Sequence, residues 1–254
     1  MSSALKKNKE TSKNFTKNIS VVLVEPEHPN NVGAVARAMN NMGFTKLILI
    51  KPCDYLSGGN DGARTLAMHS QDILQSAKVY SDLRSALLEQ NFVIALTNRV
   101  RGQHKILENS WNLEYVFKQI QNENNIALVF GRESSGLTNS EVDLCDLIMT
   151  IPTFGQNTSL NLSQAVMVIL YEISKPLNKQ ESFQEQKVIL ATSRHIESLK
   201  HNLFSVLERI GYIKIGNESK RWSVFSKLIS EKYLSEKEVN ILQGVLNKIK
   251  ENIK

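Results

Sequence analysis

The chain has 254 residues, 41% of them hydrophobic and 22% charged, with a formal net charge of +6. That length allows one large domain, or a medium domain with a small appendage, and the composition is ordinary for a soluble globular protein. No apolar run is long enough to cross a bilayer, and the Lys- and Asn-rich start lacks the apolar core of a secretory signal, so a cytoplasmic protein without a membrane partner is expected.

Residues 1–18 carry five Lys and one Glu and lack apolar periodicity, which predicts a basic disordered arm. From residue 19 short apolar runs alternate with amphipathic stretches. Strands are predicted at 20–24, 47–50, 92–96, 126–130 and 147–151. Helical stretches are predicted at 32–42, 63–68, 83–88, 111–120, 140–144 and 161–173. Continuous apolar strands alternating with helices imply a parallel α/β sheet covered on both faces, with ligands in the loops beyond the carboxyl ends of the strands. Residues 179–186 are polar and read as a linker. Residues 187–254 are helix-like, with Gly211 as a helix stop, and form a basic C-terminal module of net charge +6; the body between the two ends is net negative. Cationic ends suit a polyanion. Cys53 and Cys145 lie far apart and read as two buried, reduced thiols. His28, His69, His104, His195 and His201 lack metal-ligand company, so no metal site is expected.

Three loops at strand ends carry polar residues worth singling out. After the first strand, Asn31 can cap a helix, Gly33 admits a neighbouring backbone, and Arg37 lies less than two turns further on, where it can grip a phosphate. A capped helix with a surface Arg is the plainer alternative. After the strand at 126–130, Gly131 permits close ligand approach and Glu133 places a carboxylate at the ligand edge; a tight strand–helix turn explains the glycine equally well. After the strand at 147–151, Ser159 and Asn161 precede an apolar helix, for which both are natural caps.

In this order and at these strand ends, Asn31-x-Gly33-x-x-x-Arg37, Phe130-Gly131-x-Glu133-x-x-Gly136-Leu137 and Ser159-Leu160-Asn161-x-Ser163 match in full the three motifs of the SpoU/TrmH (SPOUT) RNA methyltransferases, which this chain resembles. The resemblance implies an α/β knot fold with a deep trefoil knot over 19–178, followed by the small helical extension. It also implies a homodimer in which each site is completed by the partner, and S-adenosylmethionine as cofactor with S-adenosylhomocysteine as product. By position, Leu96, Thr97, Asn98, Gly131, Ile151, Thr158, Ser159 and Leu160 would hold that cofactor, largely through backbone groups. Arg37, Asn31, Glu133, Ser159 and Asn161 would form the catalytic set, with Arg37 binding the target phosphate or steadying the developing alkoxide. The C-terminal tract 238–246 is similar to the branch of the family that methylates the 2′-hydroxyl of nucleotide 32, cytidine or uridine, in the tRNA anticodon loop. A ribosomal RNA 2′-O-methyltransferase of the same fold, or a non-catalytic RNA-binding relative, is the alternative. Within the basic module, Lys220, Arg221 and Lys227 are candidate RNA-phosphate contacts, against a module that merely packs a dimer.

Overall fold

A computed structural model describes residues 16–56, 62–98, 116, 119, 124–156, 158–175, 188–213, 218–231 and 233–252, with the side chains of 218–220 and 231 left aside. Most of the basic arm, the polar segment at 57–61, all but two residues of the helix expected at 111–120, and the expected linker therefore lie outside the described residues. The chain divides into two compact units, one of Met1–Leu87 with Phe92–Lys187, the other of Leu88–Asn91 with Val188–Lys254.

The first unit is built on six parallel strands: β1 (Ile19–Val24), β2 (Lys46–Ile50), β3 (Lys78–Tyr80), β4 (Phe92–Leu96), β5 (Ile126–Phe130) and β6 (Leu147–Met149). Their order is β3-β2-β1-β5-β4-β6, and every pairing is parallel. Every residue of β1, β4, β5 and β6 is buried, as a sheet covered on both faces requires. One face, through Val22, Val24, Ile48, Ile50, Val93, Ala127 and Val129, packs on Leu83, Ala86 and Leu87 of α4 (Leu83–Leu87). The long helices α1 (Pro29–Met42) and α6 (Leu162–Ser174) pack against one another. The chain runs outward from β1 to β2 and β3, then crosses to the other side of β5 for β4. Where connections reverse in this way, a crevice opens beyond the carboxyl ends of the strands.

Local chemistry sets the element ends. Pro29 opens α1, where its missing N–H costs nothing. Gly43, at φ 80°, closes that helix. Gly33 has no room for a side chain: an added Cβ would stand 2.1 Å from the Ala63 carbonyl oxygen, because α2 (Ala63–Ala67) lies directly on α1.

The parallel α/β class expected from the sequence is the one observed. Most of the β4–β5 connection is outside the described residues; the trefoil knot is what the family resemblance implies. Two elements carry no sequence signal: the short, largely exposed edge strand β3 and the one-turn helix α3 (Gln71–Gln75). The strand expected to reach residue 151 stops at Met149; the Thr150 hydroxyl then turns back to donate to the Thr97 carbonyl at 2.8 Å. Cys53 and Cys145 are free thiols, and both are half-buried rather than buried.

The second unit holds α7 (Ser193–Arg209), α8 (Glu218–Glu231) and α9 (Glu236–Asn252). Ala191, Leu199, Val206, Val239 and Leu246 form its core. Thr192 caps α7 by accepting from the His195 N–H. Gly211, at φ 71°, lies just past the end of α7, as expected of a helix stop.

Candidate active site

The loops after β1 and β5 are clasped to each other by carboxylates. Glu133 accepts from the side-chain amide of Asn31 at 2.7 Å, from the Glu27 N–H at 2.9 Å and, more weakly, from the His28 N–H at 3.4 Å. Glu27 answers in the opposite direction: its carboxylate accepts from the Ser134 N–H at 2.9 Å and from the Ser134 hydroxyl at 2.6 Å. Burial by itself would raise the Glu133 pKa, but the hydrogen bonds from Asn31 and the backbone amides outweigh it and hold the carboxyl below its ordinary range. Glu133 is therefore an ionised anchor with its oxygens already engaged.

The third loop joins the same network. The Asn161 side-chain amide donates to the Asn31 carbonyl oxygen at 3.1 Å. The Asn161 oxygen in turn accepts from the Ser163 N–H and hydroxyl at 3.0 and 2.7 Å, capping α6. Asn31 thus joins Glu133 to Asn161. It does not cap α1, contrary to the expectation: the N-cap position is His28, and no side chain caps it. Asn31 is the third residue of the helix, still within its first turn, and its amide is engaged by the Glu133 carboxylate instead.

Arg132 braces the loop from below. Its Nε donates to Glu25 at 2.8 Å, its Nη1 and Nη2 to Glu141 at 3.1 and 2.9 Å, and Nη1 also reaches the Gly136 carbonyl at 3.2 Å. The bonds to Glu141 and Glu25 push the guanidinium still further above its ordinary pKa. Glu141 also completes a capping box with Thr138 at the start of α5 (Asn139–Val142). Glu25 takes the left-handed conformation at φ 46°, uncommon for a residue with a side chain. Its Arg132 partner, together with a bond from its own N–H to the Ile50 carbonyl at 2.8 Å, holds it there. Gly131 is needed for the tight turn: an added Cβ would sit 2.3 Å from Gly136 C and 2.4 Å from Leu137 N. Loop closure therefore requires the glycine, which also lines the adjacent cavity.

The loops that follow β4, β5 and β6 line a cavity of about 440 Å³, within the roughly 300–1,000 Å³ typical of small-molecule sites. Leu96, Thr97, Asn98, Gly131, Ile151, Thr158, Ser159 and Leu160, the eight residues expected at a cofactor site, all line it, as does Glu133. Leu96 and Phe130 face each other across the β4–β5 register at its floor. The Thr97 N–H is committed to the Met149 carbonyl at 3.1 Å, so that donor serves the sheet and not a ligand. Among the five expected catalytic residues, Asn31, Glu133 and Asn161 form one hydrogen-bonded chain and Ser159 lines the cavity. Arg37 is on α1, exposed, and not among the lining residues.

In the second unit, Arg221 stands over the Tyr212 ring at 5.1 Å and donates to the Tyr212 carbonyl at 2.9 Å, and Lys227 is exposed on the same helix, α8. The Lys220 side chain is outside the described residues.

A family model described as the SpoU rRNA Methylase family matches residues 18–171. The chain belongs to the SpoU methylase family. Within it the chain falls with the TrmJ group. It is 38% identical over 182 residues to the tRNA (cytidine-2'-O-)-methyltransferase TrmJ of Methanocaldococcus jannaschii, covering 68% of this chain and 77% of that protein. It is 33% identical over 240 residues to the tRNA (cytidine/uridine/adenosine-2'-O-)-methyltransferase TrmJ of Pseudomonas aeruginosa, covering 90% and 92%. The crystal structure of TrmJ from Z. mobilis ZM4 superposes with a TM-score of 0.73 at 28% identity, over 91% of this chain and 98% of that one.

For this SpoU methylase the three family motifs were visible in the sequence, but the residues that hold the loops together were not. Nothing in the sequence marks Glu25, Glu27, Arg132, Ser134 and Glu141 as partners across the loops. The one available signal was the Thr138-x-x-Glu141 spacing of a capping box. Among the described residues, no group of three or more His, Cys, Asp or Glu could hold a metal ion. None of the described helices is long and apolar enough to cross a membrane.

Proposed function

We propose that this chain is a cytoplasmic, S-adenosylmethionine-dependent tRNA 2′-O-methyltransferase that modifies the ribose of nucleotide 32, cytidine or uridine, in the anticodon loop. One observation carries the reading: the ends of β4, β5 and β6 meet at one cavity whose lining includes all eight positions at which this family's cofactor is expected. The identity to tRNA-modifying TrmJ relatives extends beyond the methylase core to about 90% of the chain, which favours tRNA over ribosomal RNA.

The cavity suits the cofactor in size. When bound, S-adenosylmethionine would supply an electrophilic methyl group for the ribose 2′-oxygen, with the thioether as leaving group and the hydroxyl proton released to solvent. Leu96, Asn98, Ile151 and Thr158–Leu160 would hold the donor, and holding donor and acceptor in line lowers much of the barrier. Glu133, ionised and saturated with donors, is suited to fixing Asn31 and not to carrying the proton. Arg37 has no hydrogen bond or ion pair to another described residue, so its fixed positive charge is available to a phosphate or a developing alkoxide. Because Arg37 does not line its own chain's cavity, a homodimer in which it serves the partner's site is the arrangement we favour. The second unit would dock tRNA, with Arg221 and Lys227 near the phosphates.

Incubation of the protein with isotopically labelled S-adenosylmethionine and unmodified tRNA transcripts, followed by mapping of the methylated ribose, tests the reading. Label on the 2′-oxygen of nucleotide 32 is the expected result; transfer to ribosomal RNA alone, or none to any RNA, would overturn it.

A further inference from the structure

Among the described residues, one large apolar side chain stands apart from the rest. Phe154 is 99% exposed, whereas the next most exposed, Val224 and Ile241, are 57% exposed. Half-covered apolar residues scattered over a surface are ordinary. A phenyl ring with essentially none of its surface covered contributes nothing to the folding of the chain that carries it.

Its position gives the ring a context. Phe154 belongs to the connection between β6 and α6, and Ile151, Thr158, Ser159 and Leu160 of that same connection line the cavity. The Thr153 hydroxyl reaches the Thr158 carbonyl at 3.4 Å, and Phe154 follows Thr153 directly. The neighbouring Gly155 has no heavy atom within 4 Å of the place a Cβ would take, which leaves the flank of the ring uncrowded. Pro152, Gln156, Thr158 and Ser159 are exposed as well. The result is an isolated aromatic plate in a polar loop whose base is the cavity wall.

We propose that Phe154 is a stacking platform for a nucleobase of the RNA substrate, at or beside the nucleotide whose ribose is methylated. The proposal rests on the RNA-methyltransferase reading above. Transfer to a 2′-oxygen needs only the sugar to enter the cavity, so the bases around it must leave their stack and lie against the rim. An unstacked base seeks a flat aromatic surface, and such stacking tolerates either pyrimidine because every base has a π-face.

The test uses the full chain and an unmodified tRNA transcript, with equilibrium binding read by fluorescence anisotropy at one fixed salt concentration. Phe154→Ala and Phe154→Leu are expected to weaken tRNA binding by about tenfold or more, and Phe154→Trp to bind as tightly as the wild type. S-adenosylmethionine affinity by calorimetry and the sedimentation coefficient should stay at wild-type values in all three. Wild-type tRNA affinity in Phe154→Ala overturns the proposal, and so does full affinity in Phe154→Leu, which would reduce the contact to generic apolar packing. A smaller sedimenting species in Phe154→Ala overturns it too, assigning the ring to contact with a second copy of the chain. Failure of the underlying reading is distinguishable, because the wild-type protein would then bind no tRNA at all.

Discussion

Glu133→Gln keeps the size and shape of the side chain and removes its charge, so it isolates the clasp between the loops after β1 and β5. In the native site the carboxylate accepts two strong hydrogen bonds, from Asn31 Nδ2 at 2.7 Å and from the Glu27 N–H at 2.9 Å, and a marginal one from the His28 N–H at 3.4 Å. A carboxamide offers a single acceptor oxygen. Its NH2 must then face either the Asn31 amide or the Glu27 N–H, donor against donor. A hydrogen bond to a charged group contributes about 1.5–3 kcal/mol and a neutral one about 1 kcal/mol. One strong bond is therefore lost and the other weakened. Because Glu133 is only half-buried, water relieves part of the deficit, and a net loss of about 2–3 kcal/mol is expected. At about 2–4 °C per kcal/mol for a domain of this size, the melting temperature should fall by about 4–12 °C. Asn31 and the Ser134 loop would lose their anchor, and the affinity for S-adenosylmethionine should fall about tenfold, the equivalent of about 1.4 kcal/mol. Scanning calorimetry and titration calorimetry read the two effects separately. A Glu133→Gln protein with unchanged melting temperature and unchanged cofactor affinity would refute the view that this carboxylate fixes the loops.

Arg37→Ala should leave cofactor affinity and melting temperature unchanged while abolishing methyl transfer; transfer at the wild-type rate would remove Arg37 from the chemistry. Gly131→Ala should destabilise the first unit by about 1–3 kcal/mol or more, because the new methyl meets the backbone of Gly136 and Leu137 at 2.3–2.4 Å. Gly136→Ala should cost only about 1 kcal/mol, from its left-handed φ of 70° with open space around it. Urea denaturation gives the order, and equal losses would count against the loop geometry. Glu133 and Glu141 both titrate below their ordinary value of 4.5 in the folded chain. Their contribution to stability is thus complete above about pH 4.5 and disappears as the pH falls through their lowered folded values. Melting temperature followed from neutral pH downward should drop in that acid window, and a Glu133→Gln, Glu141→Gln double variant should show a shallower drop.

The buried strands of the sheet were legible because a parallel sheet covered on both faces demands unbroken apolar runs, and Val21–Val24 and Val93–Leu96 supply them. β3 was not, since an edge strand with two of its three residues exposed carries no apolar pattern. The cavity was legible only through the family motifs: no periodicity rule brings Leu96, Gly131 and Thr158 to one wall. The clasp was illegible for a different reason. Glu27 and Ser134 are 107 positions apart, as are Glu25 and Arg132. A single Glu or Ser in a loop looks the same whether it meets water or a partner from another strand end.

With side chains in place, the motif letters divide by what they do inside the chain. Gly33 and Gly131 are defined by a missing Cβ where another backbone passes. Asn31, Glu133, Asn161 and Ser163 spend their polar atoms on one another, and Phe130 is buried in the sheet. Each of these would be required to hold three loops together even if no chemistry took place there. Arg37 and Ser159 differ, because neither shows a hydrogen bond or ion pair within the described chain. Ser159 faces the cavity and Arg37 is exposed on α1. A residue type fixed by a family motif yet without a partner among the described residues is the first candidate for contact with a bound molecule. Ser159 is thus suited to the proposed cofactor, and Arg37 to the anionic substrate proposed above.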